Sequence, residues 1–128
     1  MEIRTSTKNV VIKDRTYQIS KLDARTACWL FTFMGERSKD GQILSGLGRC
    51  TRQEFTEVQG VLLGKVTHLD NQDGNVFPIA IIGPTGGFSV ADLSEDAETV
   101  MRLTTESLML SLSPFFIDRE SSSQGQVK

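Results

Sequence analysis

Apolar and polar positions first alternate, then repeat at helical spacing, then alternate again along this chain. Lys8-Asn9-Val10-Val11-Ile12 and Thr16-Tyr17-Gln18-Ile19 are rich in β-branched and aromatic residues and flank the polar break Lys13-Asp14-Arg15, which predicts an N-terminal β-hairpin. From Asp23 the period changes. Ala27, Leu30 and Met34 make one stripe and Trp29 and Phe33 a second, so a helix is expected from about Ala24 to Met34, with Asp23 as N-cap and Gly35 as the C-terminal stop. Two stripes ask for more burial than one neighbour supplies. The first is expected to face the domain's own core and the second, Trp29 or Phe33, to be covered by another subunit or a partner.

Residues 35 to 49 hold four glycines and few apolar positions, which predicts a mobile loop with one helical turn near Gln42 to Leu47. Thr51-Arg52-Gln53-Glu54 fits a capping box, in which hydroxyl and carboxylate each satisfy an orphaned backbone N–H. Phe55, Val58, Leu62, Val66 and Leu69 then follow at helical spacing, with Gly60 and Gly64 expected to allow close approach of another helix. The run Val76 to Ile82 returns to a β pattern. Pro84 and Gly86-Gly87 turn the chain back towards Phe88-Ser89-Val90, a second hairpin in which Pro78 needs an edge or a bulge. A third helix is expected after Ser94, its acidic first turn (Glu95, Asp96, Glu98) complementing the helix dipole, with Ala97, Val100, Met101, Leu108 and Leu112 inward and Pro114 as its stop. The expectation is therefore an α+β fold: a single small domain, residues 1–117, with about three helices and two short β-hairpins, and a disordered polar tail over 118–128.

A length of 128 residues suits one domain able to bury a real core, and 38% hydrophobic with 23% charged residues lies in the globular range. A net charge of −2 gives no strong pull towards phosphates, so nucleic acid is not an expected partner. No run approaches the roughly 18 apolar residues of a spanning helix, and neither membrane insertion nor export is expected. Cys28 and Cys50 form no metal-ligand pattern with the single His68; both are expected reduced, Cys28 packed in its helix and Cys50 partly exposed.

The candidate chemistry is thin. His68 has no nucleophile motif near it, and a solvent-facing or helix-end histidine is expected. Gly83-Pro84-Thr85-Gly86-Gly87 lacks the Lys-Ser/Thr of a phosphate-binding loop and is a turn. Asp70 to Asn75 has Leu69 and Ala80 where a calcium loop needs ligands. The cations Arg4, Lys8, Lys13, Arg15, Lys21 and Arg25 bias the N-terminal part positive, the usual mark of a solvated face. No enzyme activity, cofactor or metal is expected. Phe115-Phe116, beyond the helix-stopping proline, cannot easily both be buried, and a binding role competes with capping of the core.

The run Tyr17-Gln18-Ile19-Ser20-Lys21-Leu22-Asp23-Ala24-Arg25-Thr26-Ala27-Cys28-Trp29-Leu30, the Glu54-Phe55 helix and the closing helix with Pro114-Phe115-Phe116 together resemble the tail assembly chaperones of long-tailed bacteriophages and related prophages. The resemblance covers most of residues 8 to 117. It implies a non-enzymatic assembly factor of the host bacterial cytoplasm, absent from the mature virion. Its partners would be the tape measure protein, which it keeps soluble, and the major tail tube protein. A frameshift-extended form of the same chain is implied as well, and self-association into a homo-oligomer is expected through the apolar faces. On this reading partner-binding falls on Trp29, Phe33, Phe115 and Phe116. The alternative is a structural virion protein, such as a tail-completion or head-tail connector subunit.

Overall fold

A computed structural model of the chain describes residues 7–39 and 42–127; the side chains of Ile43, Ala91 and residues 116–127 lie outside that description. The N-terminal hairpin forms as the alternation requires, from β1 (Thr7–Ile12) and β2 (Arg15–Ser20). Its two-residue turn places Lys13 and Asp14 at φ 51° and 66°, the positive values that match the twist of paired strands. No glycine eases this. Lys13 is instead held by Asp96 at 3.1 Å and Glu98 at 3.5 Å.

α1 (Ala24–Arg37) starts where Asp23 Oδ2 accepts the Thr26 N–H at 3.1 Å. It passes through Gly35, the expected stop, by almost one turn. Ser38 caps it: its N–H bonds Met34 O at 2.8 Å and its hydroxyl bonds Gly35 O at 3.1 Å, while its own backbone is extended and leaves the helix. A 3₁₀ segment (Ile43–Arg49) then lies against α1 with Leu47 buried. Gly46 permits that seat: a Cβ there would stand 2.9 Å from Met34 O.

The capping box at Thr51 and Glu54 is present and opens α2 (Arg52–Leu63). The helical reading of Val66 and Leu69 is overturned. α2 stops at Gly64, and β3 (Val66–Gln72) pairs both with β2 and with β4 (Asn75–Ala80). The turn between them is Asp73-Gly74, at φ 53° and 84°, so the second hairpin lies earlier than expected. The return expected at 88–90 is reduced to one bridge, Ile82 to Phe88. The sheet is an antiparallel meander in the order β1-β2-β3-β4, with Pro78 on its edge strand.

Gly60 has no atom within 4 Å of where a Cβ would stand, so it admits no close helix approach. Replacing it with alanine in this exposed helix interior is expected to stabilise the fold by about 0.5–1 kcal/mol, read as a higher urea midpoint at unchanged slope.

After a second 3₁₀ segment (Ala91–Glu95), Asp96 caps α3 (Ala97–Val127) by accepting from the Thr99 N–H at 3.2 Å and the Thr99 hydroxyl at 2.7 Å. Pro114 does not stop α3. Proline removes the donor for the carbonyl four residues back, Leu110 O, and the Ser113 hydroxyl bonds that same oxygen at 3.1 Å. The polar tail expected from 118 falls where side chains are not described.

α3 is the spine shared by two cores. Leu103 joins Val10, Ile12, Tyr17, Ile19 and Val66 beneath the sheet, whereas Leu108 and Leu112 join Leu22, Leu30, Met34, Val58 and Leu62 between the helices. Ala97 and Met101 face outward, against expectation. The inward face is completed by Thr104, Ser107 and Ser111, small residues that let the chain pack closely and whose hydroxyls find partners. The domain is α+β, with its helices on one face of the sheet.

Candidate functional site

Helical spacing separates the two stripes of α1 as the sequence requires. Ala27, Leu30 and Met34 are buried, while Trp29 and Phe33 occupy the neighbouring flank with ring centroids 5.3 Å apart. Trp29 is 37% exposed and Phe33 half-buried. Arg37, one further turn along, lays its guanidinium 3.7 Å from the Phe33 ring centre and forks onto Glu54, with Nε to Oε1 at 3.3 Å. Glu54 also closes the capping box through the Thr51 N–H. Phe33 is thus covered on one side by the chain's own cation, and Trp29 is the open ring of the pair.

The Arg37 guanidinium, with the Thr51 N–H second, holds the Glu54 carboxyl down at about 2 from an ordinary 4.5. A depressed carboxyl stabilises the fold fully above its ordinary value, and that contribution is lost as pH falls from about 4.5 towards about 2. Glu54→Gln is expected to be less stable than wild type at pH 6, with the gap closing as pH approaches 2. Urea unfolding across that range checks the sign.

Phe115 lies against Phe31, with parallel rings 4.3 Å apart at 6°, so the structure places it in an internal stack between α3 and α1. The side chain of Phe116 is outside the described residues. Trp29 and Phe33 are therefore brought together, and Phe115 is joined to Phe31 and packed on the helical core.

Among the described residues, the most open apolar strand is one the sequence pattern did not single out. Through the pairs Tyr17 to His68, His68 to Ile79 and Asp70 to Phe77, the core face of the sheet continues onto β4. α3 lies over β2, so the helical layer ends short of that strand. Phe77 is left 48% and Ile79 39% exposed on this face, and Val76 56% exposed on the other. The missed signal was Asp73-Gly74, which marks a hairpin and so fixes how far β4 projects. A separate open apolar groove of about 510 Å³ lies between α2 and the start of α3, floored by Phe55, Phe88, Leu93 and Val100.

His68 sits mid-strand with its ring 6.0 Å from Tyr17, neither at a helix end nor fully solvated. Cys28 is exposed rather than packed, and burial pushes the Cys50 thiol up, away from a reactive thiolate. The cations Lys8 and Arg15 pair with Glu106 and Asp92; Arg4 is outside the described residues. Among the described residues no three His, Cys, Asp or Glu side chains gather to hold a metal, and no helix is long and apolar enough to cross a membrane. Set against known protein families, characterised proteins and solved structures, the chain gives no match.

Proposed function

We propose that this chain is a tail assembly chaperone of a long-tailed bacteriophage, binding the tape measure protein and keeping it soluble while tail tube subunits are recruited. The observation that carries the reading is the uncovered apolar surface of β4, with Val76, Phe77 and Ile79 exposed on a strand the helical layer does not reach, and with Trp29 open on α1. Burying apolar side chains of a client releases roughly 25 cal/mol per Å² removed from water, and the polar residues around the β3–β4 turn keep the complex soluble. The resemblance carried by residues 17 to 30 and by Pro114-Phe115-Phe116 supplies the client class. Phe33 and Phe115, half-covered by Arg37 and Phe31, act in this reading as supports for the surface.

Co-expression with a candidate tape measure protein tests it. The client is expected to stay soluble with the wild-type chain and to precipitate with a Phe77→Ser, Ile79→Ser double variant that retains its fold. Stoichiometric copies in purified virions, found by mass spectrometry, would overturn the reading in favour of a structural subunit.

A further inference from the structure

The two edges of the sheet are unequal. Counting the ladder from the two-residue turns, the N–H and C=O groups that face away from the sheet belong to Thr7, Asn9 and Val11 on β1 and to Val76, Pro78 and Ala80 on β4. On β4 the central position is a proline without an N–H, and Ala80 O is taken by the Ser89 hydroxyl. That edge is closed to a further strand. β1 has no proline and no bulge, and it presents donors and acceptors along its length beside Val11, which is 62% exposed.

We propose that two copies of this chain pair antiparallel through β1, with Asn9 on the two-fold axis. Asn9 then faces Asn9 of the second copy and Thr7 faces Val11, each pair exchanging two N–H···O=C bonds. Val11, the most exposed large apolar side chain among the described residues, is covered on the outer face. Lysine commonly guards an edge, but Lys8 lies on the helix side, neutralised by Glu106 at 2.9 Å, and Lys13 is neutralised by Asp96 and Glu98. Two β1 edges therefore meet without net repulsion, which favours a second copy over a charged peptide. The helices do not obstruct. α3 lies over β2, so the two α3 helices stand about three strand spacings apart, roughly 14 Å, against the 8–10 Å or so at which helices touch. The contact is small beside the roughly 800 Å² per partner of a standard interface, so the dimer is weak and reversible.

Sedimentation of the isolated full chain from about 10 μM to about 1 mM is the test. It is independent of any client and of the function proposed above. A monomer–dimer equilibrium is expected, with protection of the Asn9 and Val11 amides from hydrogen exchange rising with concentration. Asn9→Pro, at an N–H the hairpin does not use, is expected to weaken the dimer about tenfold or more. Should that variant unfold, Val11→Lys, which sets a charge on the seam, is expected to do the same. Val76→Lys on β4 is expected to leave the dimer unchanged. A chain monomeric throughout, a folded Asn9→Pro or Val11→Lys that dimerises like wild type, or dissociation by Val76→Lys would each overturn the proposal.

Discussion

Leu30→Ala is expected to lower the unfolding free energy by about 2–5 kcal/mol, the largest single effect predicted for this chain. Leu30 is fully buried in the helical core with Leu22, Met34, Leu47, Val58, Leu62, Leu108 and Leu112. Removing three carbons there forfeits their transfer from water and leaves a cavity. Its walls are backbone-anchored helices on three sides and the 3₁₀ segment seated on α1, so they close only in part. A domain of this size holds about 5–15 kcal/mol in all, and the variant is expected to sit at the margin of folding, with its melting temperature lowered by roughly 10 °C or more. Thermal and urea unfolding measure this. A loss below about 1 kcal/mol would mean the site collapses freely and the helical core is not close-packed.

Ser111→Ala is expected to cost about 1–3 kcal/mol through a different route. The Leu22 N–H, at the entry to α1, donates to Ser111 Oγ at 3.0 Å, and both groups are buried. Alanine fits the space but leaves that N–H without a partner and away from water. Ser113→Ala, two residues on, removes the hydroxyl that serves Leu110 O in a half-buried place that water can reach, and is expected to cost under about 1 kcal/mol. The contrast tests burial rather than bond count. Faster hydrogen exchange at Leu22 in Ser111→Ala, with no such change in Ser113→Ala, identifies the orphaned amide as the cause.

The parts that were legible in the sequence are those whose reason is local. Asp23 before Ala24 and Thr51 three residues before Glu54 cap their helices with their own side chains, and both caps are present. The β-branched alternation around Lys13-Asp14 is a hairpin. The separation of Leu30 and Met34 from Trp29 follows from helical period alone. The errors came where a local pattern served two structures. Val66 and Leu69 extend the stripe of Phe55, Val58 and Leu62, but in the strand they point to opposite faces, and pairing with β2 and β4 decides against the helix. Pro114 is a helix breaker in isolation, but Ser113 serves the carbonyl it strands, and Leu108 and Leu112 hold the preceding turns in the core.

The candidate surface divides in the same way. That Trp29 lies on a flank apart from the core stripe was readable. That Phe33 is covered by Arg37 was not, because side-chain direction and Glu54, 17 positions from Arg37, hold the guanidinium there; nor was the stack of Phe115 on Phe31, which lies far off in sequence. Nor could the sequence reveal that Phe77 and Ile79 stand open, since their exposure depends on α3 crossing β2 rather than β4.

By itself the sequence determined the starts of the first two helices and the first hairpin, because capping, turn chemistry and periodicity act within a few residues. Only the tertiary structure decided which apolar residues were left over. Burial is set by which layers meet, and a side chain becomes surface when the helix that would cover it is aligned with a different strand.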